Sequence, residues 1–505
     1  MAPSLQRRRR PVPALIASVA SLSGALSAGA SPCQERYRDW VAEPSVFIRS
    51  DQPKNLQGLH VVCVWRAAQG EPLQVEAYMN AVRSEAPLRA ELPPDAEMGW
   101  REFRRDLKTA LGFRRKSNDW GFLHLKQPFG IFAEYGRRLS SPKEAEDAGL
   151  IFVIEGGQWF WPPLRIGYER RLPGTEFSLE TLSVQPVIFR VKGFLQENEC
   201  DEIVKLGKGR MVSSPVSLMD KDKGKEAKEF RTSTQARIAR AESPMLRVID
   251  DRISALTKIP VPHNEEVQIL RYEKTQYYSG HLDNWDPSFY TLDGADFIEH
   301  GHNNRLITVF WYLTNVSEGG ETYFARADGL PQPMDMYGCN HGGLKVKPVQ
   351  GNVIFWYSLH PNGNTDPNGL HAACPVSTGE KWSANYWVWN KPRAGGKMPD
   401  AGIDLPDDDE RAENELVEGE QAVVVFTNGH PKRSVFLFWQ STSGDGDKFM
   451  GEVQPGSRVS MNTSPGHVWF FKAGPDPTSK KLKKMVITKE RKQEFVIRPQ
   501  RRDEM

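Results

Sequence analysis

Two histidines, one aspartate and one lysine carry the strongest chemical signal in this 505-residue chain. His281 and Asp283 form an H-x-D pair, His371 follows 88 residues after the aspartate, and Lys381 comes ten residues later. Two imidazoles and a carboxylate on one face of a metal leave its other positions open, which suits non-haem Fe(II) binding a bidentate keto acid and O₂. In a strand, residues i and i+2 point to the same side, so His281 and Asp283 can reach one ion. A lysine near the distal histidine can supply the cation that a dicarboxylate cosubstrate needs. Spacing alone is weak support, since 11 histidines and 64 acidic residues give about one H-x-[DE] by chance. His263-Asn264-Glu265 is read as that chance occurrence.

The elements around these residues are legible. Leu306–Leu313 and Val353–Tyr357 are β-branched and aromatic runs bounded by Asn, Gly and Pro, so they read as strands. After Phe194 and Leu195, residues Cys200, Ile203 and Val204 fall at the i, i+3, i+4 spacing of one helix face. Residues 219–230, M-D-K-D-K-G-K-E-A-K-E-F, have high charge and no apolar period, and read as a mobile surface loop.

From about residue 190 to 393 the chain resembles the prolyl 4-hydroxylase family of Fe(II)/2-oxoglutarate dioxygenases. The stretches that carry the likeness include R-T-S-T at 231–234, Q-I-L-R-Y at 268–272 and Q-Y-Y-S-G-H-L-D at 276–283. N-R-L-I-T-V-F-W-Y-L at 304–313, E-G-G-E-T-Y-F at 318–324, V-K-P-V-Q-G-N-V-I-F-W at 346–356 and G-L-H-A-A-C-P-V-S-T-G-E-K-W at 369–382 continue it. The resemblance implies a mainly β fold with helices, a double-stranded β-helix or jelly-roll. It also implies Fe(II), 2-oxoglutarate and O₂ as reactants, with ascorbate as reductant, and hydroxylation of a proline-rich protein or peptide.

On the family pattern His281, Asp283 and His371 match the iron ligands, and Lys381 matches the partner of the distal 2-oxoglutarate carboxylate. Tyr272 and Tyr278 match tyrosines lining the cosubstrate and peptide site, and Thr308 offers a further hydroxyl there. Arg305 matches a substrate-side arginine and Trp387 a pocket wall, and the 219–230 loop falls where the family has a loop that closes over peptide. One position departs: Trp389 stands where the family usually has a histidine on the substrate side, which leaves the peptide preference open.

Residues 400–420 hold ten acidic side chains and little apolar content, the composition of a linker. From about 420, short strand candidates alternate with N-G-H-P, S-G-D-G, Q-P-G-S and S-P-G turns, as in a small β-sandwich. V-V-V-F-T-N-G-H-P at 423–431, F-L-F-W at 436–439, V-Q-P-G-S-R at 453–458 and S-P-G-H-V-W-F-F at 464–471 resemble the β domain of the von Hippel–Lindau tumour suppressor. That likeness implies a hydroxyproline pocket lined by Trp439, Phe449, Thr463, His467 and Trp469. Phe449 replaces a family tyrosine and Thr463 a family serine. No helical domain for ubiquitin-ligase recruitment is expected.

The expected organisation is thus a signal segment at 1–30, an α+β module at 31–185, the dioxygenase domain at 186–393, an acidic linker at 394–419, the sandwich at 420–499 and a tail at 500–505. Arg7–Arg10, the Ala- and Ser-rich run to Ala30 and the final Arg502-Asp503-Glu504-Met505 point to the secretory pathway, most simply the endoplasmic reticulum lumen. An organellar transit peptide is the alternative. A multi-span membrane protein is excluded by the want of long apolar stretches, and a net charge of +2 gives no case for nucleic-acid binding. Five cysteines are an odd number, so at least one is free or pairs between chains. E-G-G-Q-W-F-W-P-P-L-R-I-G-Y at 155–168 reads as a ligand-facing loop or a domain seam. The competing functional readings are hydroxylation of another residue type and a non-catalytic hydroxyproline-binding scaffold.

Overall fold

The computed structural model describes residues 31–46, 56–92, 99–112, 129–216, 222, 224–285, 303–331, 333, 339–393, 421–441, 446–490 and 492–497. The signal segment, the acidic linker, the tail and residues 219–221 and 223 of the charged loop lie outside the described residues.

Two sheets build the dioxygenase domain. The large one runs, in spatial order, Glu169–Arg171, Ser178–Val184, Val187–Val191, Val353–Tyr357, Arg305–Tyr312, Lys381–Trp389, Val267–Tyr272, Thr234–Ile238 and Val212–Ser213. The small one runs Tyr278–His281, His371–Ala373, Thr322–Phe324 and Leu344–Val346. Leu270, Tyr272, Phe310, Tyr312 and Trp356 of the large sheet share a core with Phe324 and Val346 of the small one. This is the expected jelly-roll, with two facing sheets and side chains of both between them.

Every residue of Arg305–Tyr312 is buried because the far face of the large sheet is covered too. Ile307, Val309 and Trp311 pack in one core with Ile203 of the helix Glu197–Lys208 and with Ile249 and Ile253 of the helix Pro244–Thr257. Local side-chain contacts mark where both helices start. Glu199 reaches back to the Gln196 backbone N–H (2.9 Å), and Ser243 accepts from the Met245 N–H just ahead of Pro244.

The N-terminal module is α+β: a five-stranded antiparallel sheet ordered Leu88–Leu92, Leu73–Tyr78, Leu59–Trp65, Leu150–Ile154 and Gly130–Ala133. The helix Trp100–Leu111 covers one face with Phe103, Leu107 and Leu111. On the other face Trp40, Phe152, Trp159 and Trp161 join the core that underlies the large sheet. The stretch at 155–168 is a seam. Phe160 stacks on Tyr357 at 3.7 Å, the Trp161 indole donates to the Leu256 carbonyl (2.8 Å), and the Gln158 amide donates to that of Asn390 (3.0 Å). The boundary expected at 185 falls inside a hairpin, since Ser178–Val184 pairs with Val187–Val191 and brings Glu169–Arg171 with it into the large sheet. The division therefore lies upstream of Glu169.

Cys33 is bonded to Cys63 and Cys339 to Cys374, leaving Cys200 free and buried. The carboxy-terminal segment is a sandwich of a three-stranded sheet (Arg458–Thr463, Ala422–Asn428, Lys492–Ile497) and a four-stranded one (Asp447–Val453, Val435–Gln440, Val468–Lys472, Lys481–Val486). Val424, Phe426, Leu437, Val453, Trp469 and Phe471 fill it. Among the described residues no helix is long and apolar enough to cross a membrane.

Candidate active site

Antiparallel pairing of Tyr278–His281 with His371–Ala373 sets His281 directly opposite His371. Asp283 follows two residues on, and one ligand atom from each of the three lies within 4.8 Å of the others. His281 Nε2 is 3.8 Å from Asp283 Oδ1, and His371 Nε2 is 3.6 Å from Asp283 Oδ2.

The backbone settles which ring nitrogens face the site. His281 Nδ1 lies 2.9 Å from its near neighbour's carbonyl, Ser279 O, and His371 Nδ1 lies 2.9 Å from Gly369 O. A carbonyl only accepts, so both Nδ1 atoms carry the proton and both Nε2 lone pairs point at the site. Burial, with His371 alongside, pushes His281 down to about 3, so it is a neutral ligand at ordinary pH. Burial alone would raise the Asp283 carboxyl. His371, His281, Arg305 and the Thr308 hydroxyl outweigh it and hold the group below the usual carboxylate range. Thr308 donates to Asp283 Oδ2 at 2.7 Å, so its hydroxyl orients a ligand rather than reaching toward a cosubstrate.

Inward-facing residues of the strand Arg305–Tyr312 lead away from this triad. Thr308 touches Asp283, Phe310 comes next, and Tyr312 closes the row. At its far end is Lys381, on the neighbouring strand opposite Tyr272. Its Nζ lies 5.4 Å from the Tyr272 ring, 5.3 Å from Phe310 and 5.7 Å from Tyr312. The side chain is 0 % exposed, and Nζ has no hydrogen-bond partner among the described residues. Burial pushes its pKa down to about 7. A buried ammonium without an acceptor is costly, and the chain retains it here where an anion can meet it. The residues present therefore fit both groups: two neutral imidazoles and a carboxylate suit a divalent iron, and Lys381 suits the far carboxylate of a keto diacid.

The sequence pattern of the 2OG-Fe(II) oxygenase superfamily matches residues 267–389. A probable prolyl 4-hydroxylase 4 of Arabidopsis thaliana is 37% identical over 217 residues, which cover 42% of this chain and 70% of that protein. The chain belongs to the prolyl 4-hydroxylase family. Probable prolyl 4-hydroxylase 6 of the same plant is 40% identical, over 41% of this chain and 70% of that one. A solved viral collagen prolyl hydroxylase from Paramecium Bursaria Chlorella virus-1, in complex with 2OG, is 27% identical, covering 40% of this chain and 95% of that chain at a TM-score of 0.29.

In this prolyl 4-hydroxylase-family site the remaining sequence expectations find distinct places. Tyr278 stacks on His281 at 3.6 Å with the Arg231 guanidinium 4.4 Å from its ring, and burial pushes its phenol up to about 12. Tyr272 serves as one wall of the Lys381 pocket. Arg305 is not an open substrate contact: it grips Glu265 at 2.6 and 3.1 Å and lies between the rings of Trp285 (4.4 Å) and Trp387 (3.5 Å). Its third nitrogen lies 3.4 Å from the Asp283 carbonyl, so the arginine braces the strand end that carries the ligand. Trp387 is a wall, but of this arginine.

Glu265 is the residue that sequence reasoning missed. It is a hub: the Trp389 indole N–H donates to it at 2.7 Å, and Arg237 and Arg393 stand 3.6 and 3.7 Å away. Trp389, in the histidine position of the family, is thus turned onto a buried carboxylate. Arg231 was also missed, although its R-T-S-T stretch was recognised. It is buried, with Nε on Ser233 (2.8 Å) and one terminal nitrogen without a partner among the described residues.

In the sandwich, Trp439 and Trp469 are cross-strand partners, and the Trp469 indole donates to Thr463 Oγ1 at 3.1 Å. Thr463 Oγ1 is 2.9 Å from His467 Nδ1, and the Trp439 and His467 rings are 5.4 Å apart. Phe449 is a correction. A bulge in the strand pairing sets it opposite Phe438, with ring centroids 5.4 Å apart, while Lys448 falls opposite Trp439. Alternation then sends Phe449 to the face away from the other four residues.

Proposed function

We propose that this chain hydroxylates C4 of prolyl residues in a polypeptide, consuming 2-oxoglutarate, and that its carboxy-terminal module binds the hydroxyprolyl product. The observation that carries the first part is the buried ammonium of Lys381, without a hydrogen-bond partner among the described residues, at the end of a row that begins at the His281–Asp283–His371 triad. Fe(II) with 2-oxoglutarate and O₂ supplies the oxidising power for an unactivated C–H bond. The chain's own residues do the rest. His281 and His371 present Nε2 lone pairs fixed by backbone carbonyls, and Thr308 and Arg305 hold Asp283 in place. Lys381 neutralises the distal carboxylate and so fixes the cosubstrate's direction. Trp356, 4.6 Å from the His371 ring, and Phe324, at 5.7 Å, keep water from the side of that ligand.

The product-binding part rests on polar atoms set against two indoles. The Trp469 indole donates to Thr463 Oγ1, which also meets His467 Nδ1. His467 Nε2 is left to donate to or accept from a ligand hydroxyl, which can play either part. The Trp439 indole nitrogen is buried without a partner among the described residues and can donate to a peptide carbonyl. Two aromatic walls with an imidazole and an indole N–H suit a hydroxylated pyrrolidine. Calorimetry on the full chain carrying His371→Ala tests it: a 4-hydroxyproline peptide should bind about 1–3 kcal/mol more tightly than its proline twin, the cost of an unpaired buried donor. Equal affinities remove this part and leave the dioxygenase reading intact.

The compartment we propose is the secretory pathway, supported by the signal-like first 30 residues and by two disulfides, which persist in oxidising surroundings. Protease protection of the chain in sealed microsomes tests this, and full digestion without detergent argues against it.

A further inference from the structure

The carboxy-terminal module and the segment before it carry opposite charge. Residues 421–499 hold 13 lysines and arginines against six acidic residues, a net of +7, whereas residues 394–420 hold two against ten, a net of −8. The whole chain is only +2, so the contrast is local. Within the acidic segment, Ile403-Asp404-Leu405-Pro406 runs directly into Asp407-Asp408-Asp409-Glu410, which places two aliphatic side chains beside four consecutive carboxylates.

One face of the module has the matching chemistry. Alternation along Val468–Lys472 turns Trp469 and Phe471 into the core, and Val468, Phe470 and Lys472 outward. Cross-strand register then lines up Phe449, Phe438, Phe470 and Lys484 as a single row across all four strands. Phe449 is 49 % exposed, and Val486, opposite Val468 on the edge strand, is 48 % exposed. Lysines cross this row: Lys481 Nζ lies 3.5 Å from the Phe470 ring and Lys472 Nζ 4.4 Å from Phe438. Both meet Asp447, at 3.0 and 2.6 Å. Phe438 and Phe470, at the middle of the row, are 0 % and 4 % exposed, as Lys472 is 0 %, so the open part of this face is the Phe449 ring with the exposed ammonium groups of Lys481 and Lys484 across the sheet from it.

We propose that residues 403–410 dock on this face, with Ile403 and Leu405 against the exposed Phe449 ring and the four carboxylates toward Lys481 and Lys484. Reach permits it. Eleven residues separate Glu410 from the strand that starts at Ala422, up to about 36 Å when extended, against a radius of gyration of roughly 12 Å for a domain of about 80 residues. The tether favours this occupant over a second copy of the chain, because it holds the segment at an effective concentration of up to millimolar order.

Zero-length coupling of carboxylates to amines in the full chain, read by mass spectrometry, tests the docking. At low ionic strength Asp407–Glu410 should couple to Lys481 and Lys484 about tenfold more than to Lys432 and Lys489, which lie in turns. The preference should vanish at about 0.5 M salt, where the screening length falls to about 4 Å. Phe449→Ser keeps every carboxylate and amine and, being at a surface position, leaves the sandwich intact; it should lower the preferred coupling several-fold. Equal coupling to all four lysines, or no effect of Phe449→Ser, overturns the proposal. Coupling mainly between light and heavy isotopic copies in a mixed sample overturns it too, and assigns the face to a dimer. None of these readouts involves hydroxyproline, so failure of the product-binding reading would be seen separately.

Discussion

Replacing Lys381 by methionine should separate stability from cosubstrate binding. The ammonium is fully buried among Tyr272, Phe310 and Tyr312, and burial lowers its pKa from 10.5 to about 7. At about 1.4 kcal/mol per unit, the charged form is disfavoured in the metal-free protein by roughly 4–5 kcal/mol. Methionine has similar length and no charge, and three aromatic rings receive it well. The metal-free Lys381→Met protein should therefore be at least as stable as the parent near neutral pH.

The sign of the pH dependence follows. Between about 7 and 10.5 the unfolded chain keeps the lysine proton and the folded chain does not. The parent thus gains stability as pH rises through that window, and below it the burden is full. The parent-minus-variant difference from urea unfolding should accordingly rise with pH. Binding should move the other way. A 2-oxoglutarate carboxylate left without its cation loses roughly 2–5 kcal/mol, a tens- to thousands-fold rise in the cosubstrate requirement. Lys381→Arg should recover only part of it. A methionine variant with parental affinity for 2-oxoglutarate, or with a markedly less stable metal-free form, refutes the reasoning.

Other outcomes follow from single contacts. Thr308→Val removes the donor to Asp283 at constant shape and should weaken metal affinity about 10- to 100-fold in competition titrations, with little change in Tm. His371→Ala should abolish both succinate formation and hydroxylation under controlled metal. Glu265→Gln leaves Arg305 buried without its counter-charge and should lower stability by about 3–5 kcal/mol in denaturant. In the module, His467→Ala should erase discrimination between hydroxyproline and proline peptides, whereas Phe449→Ala, on the opposite face, should leave it unchanged.

The metal triad was legible because alternation and spacing are local properties. His281 ends its strand and Asp283 lies in the bend two residues beyond, so the close H-x-D spacing rather than a continuing strand joins them, and His371 with Lys381 needed the family's order of motifs. The jelly-roll came from the family resemblance, and strand runs such as Leu306–Leu313 agreed with it. What sequence could not carry were relations between distant strands. Glu265 sits in an H-x-E that chance explains, and only the fold brings Arg305, Trp389 and Arg393 around it. The reach of Arg305 was misjudged likewise, since nothing local says that its guanidinium lies between Trp285 and Trp387. Phe449 was placed by the likeness to the tumour-suppressor β domain, and a bulge in the pairing of its strand sets it on the other face. The boundary at 185 was drawn near where the family resemblance begins, and the pairing of Ser178–Val184 with Val187–Val191 across it is a contact that the resemblance does not reach.

The most direct measurement is mass spectrometry of a proline-rich peptide library after incubation with the full chain, Fe(II), 2-oxoglutarate and ascorbate, with succinate quantified in parallel. The account predicts one oxygen added at C4 of proline for each succinate formed, and neither product with His371→Ala. Oxygen on another residue type, or succinate released with no peptide oxidised across the library, would contradict it.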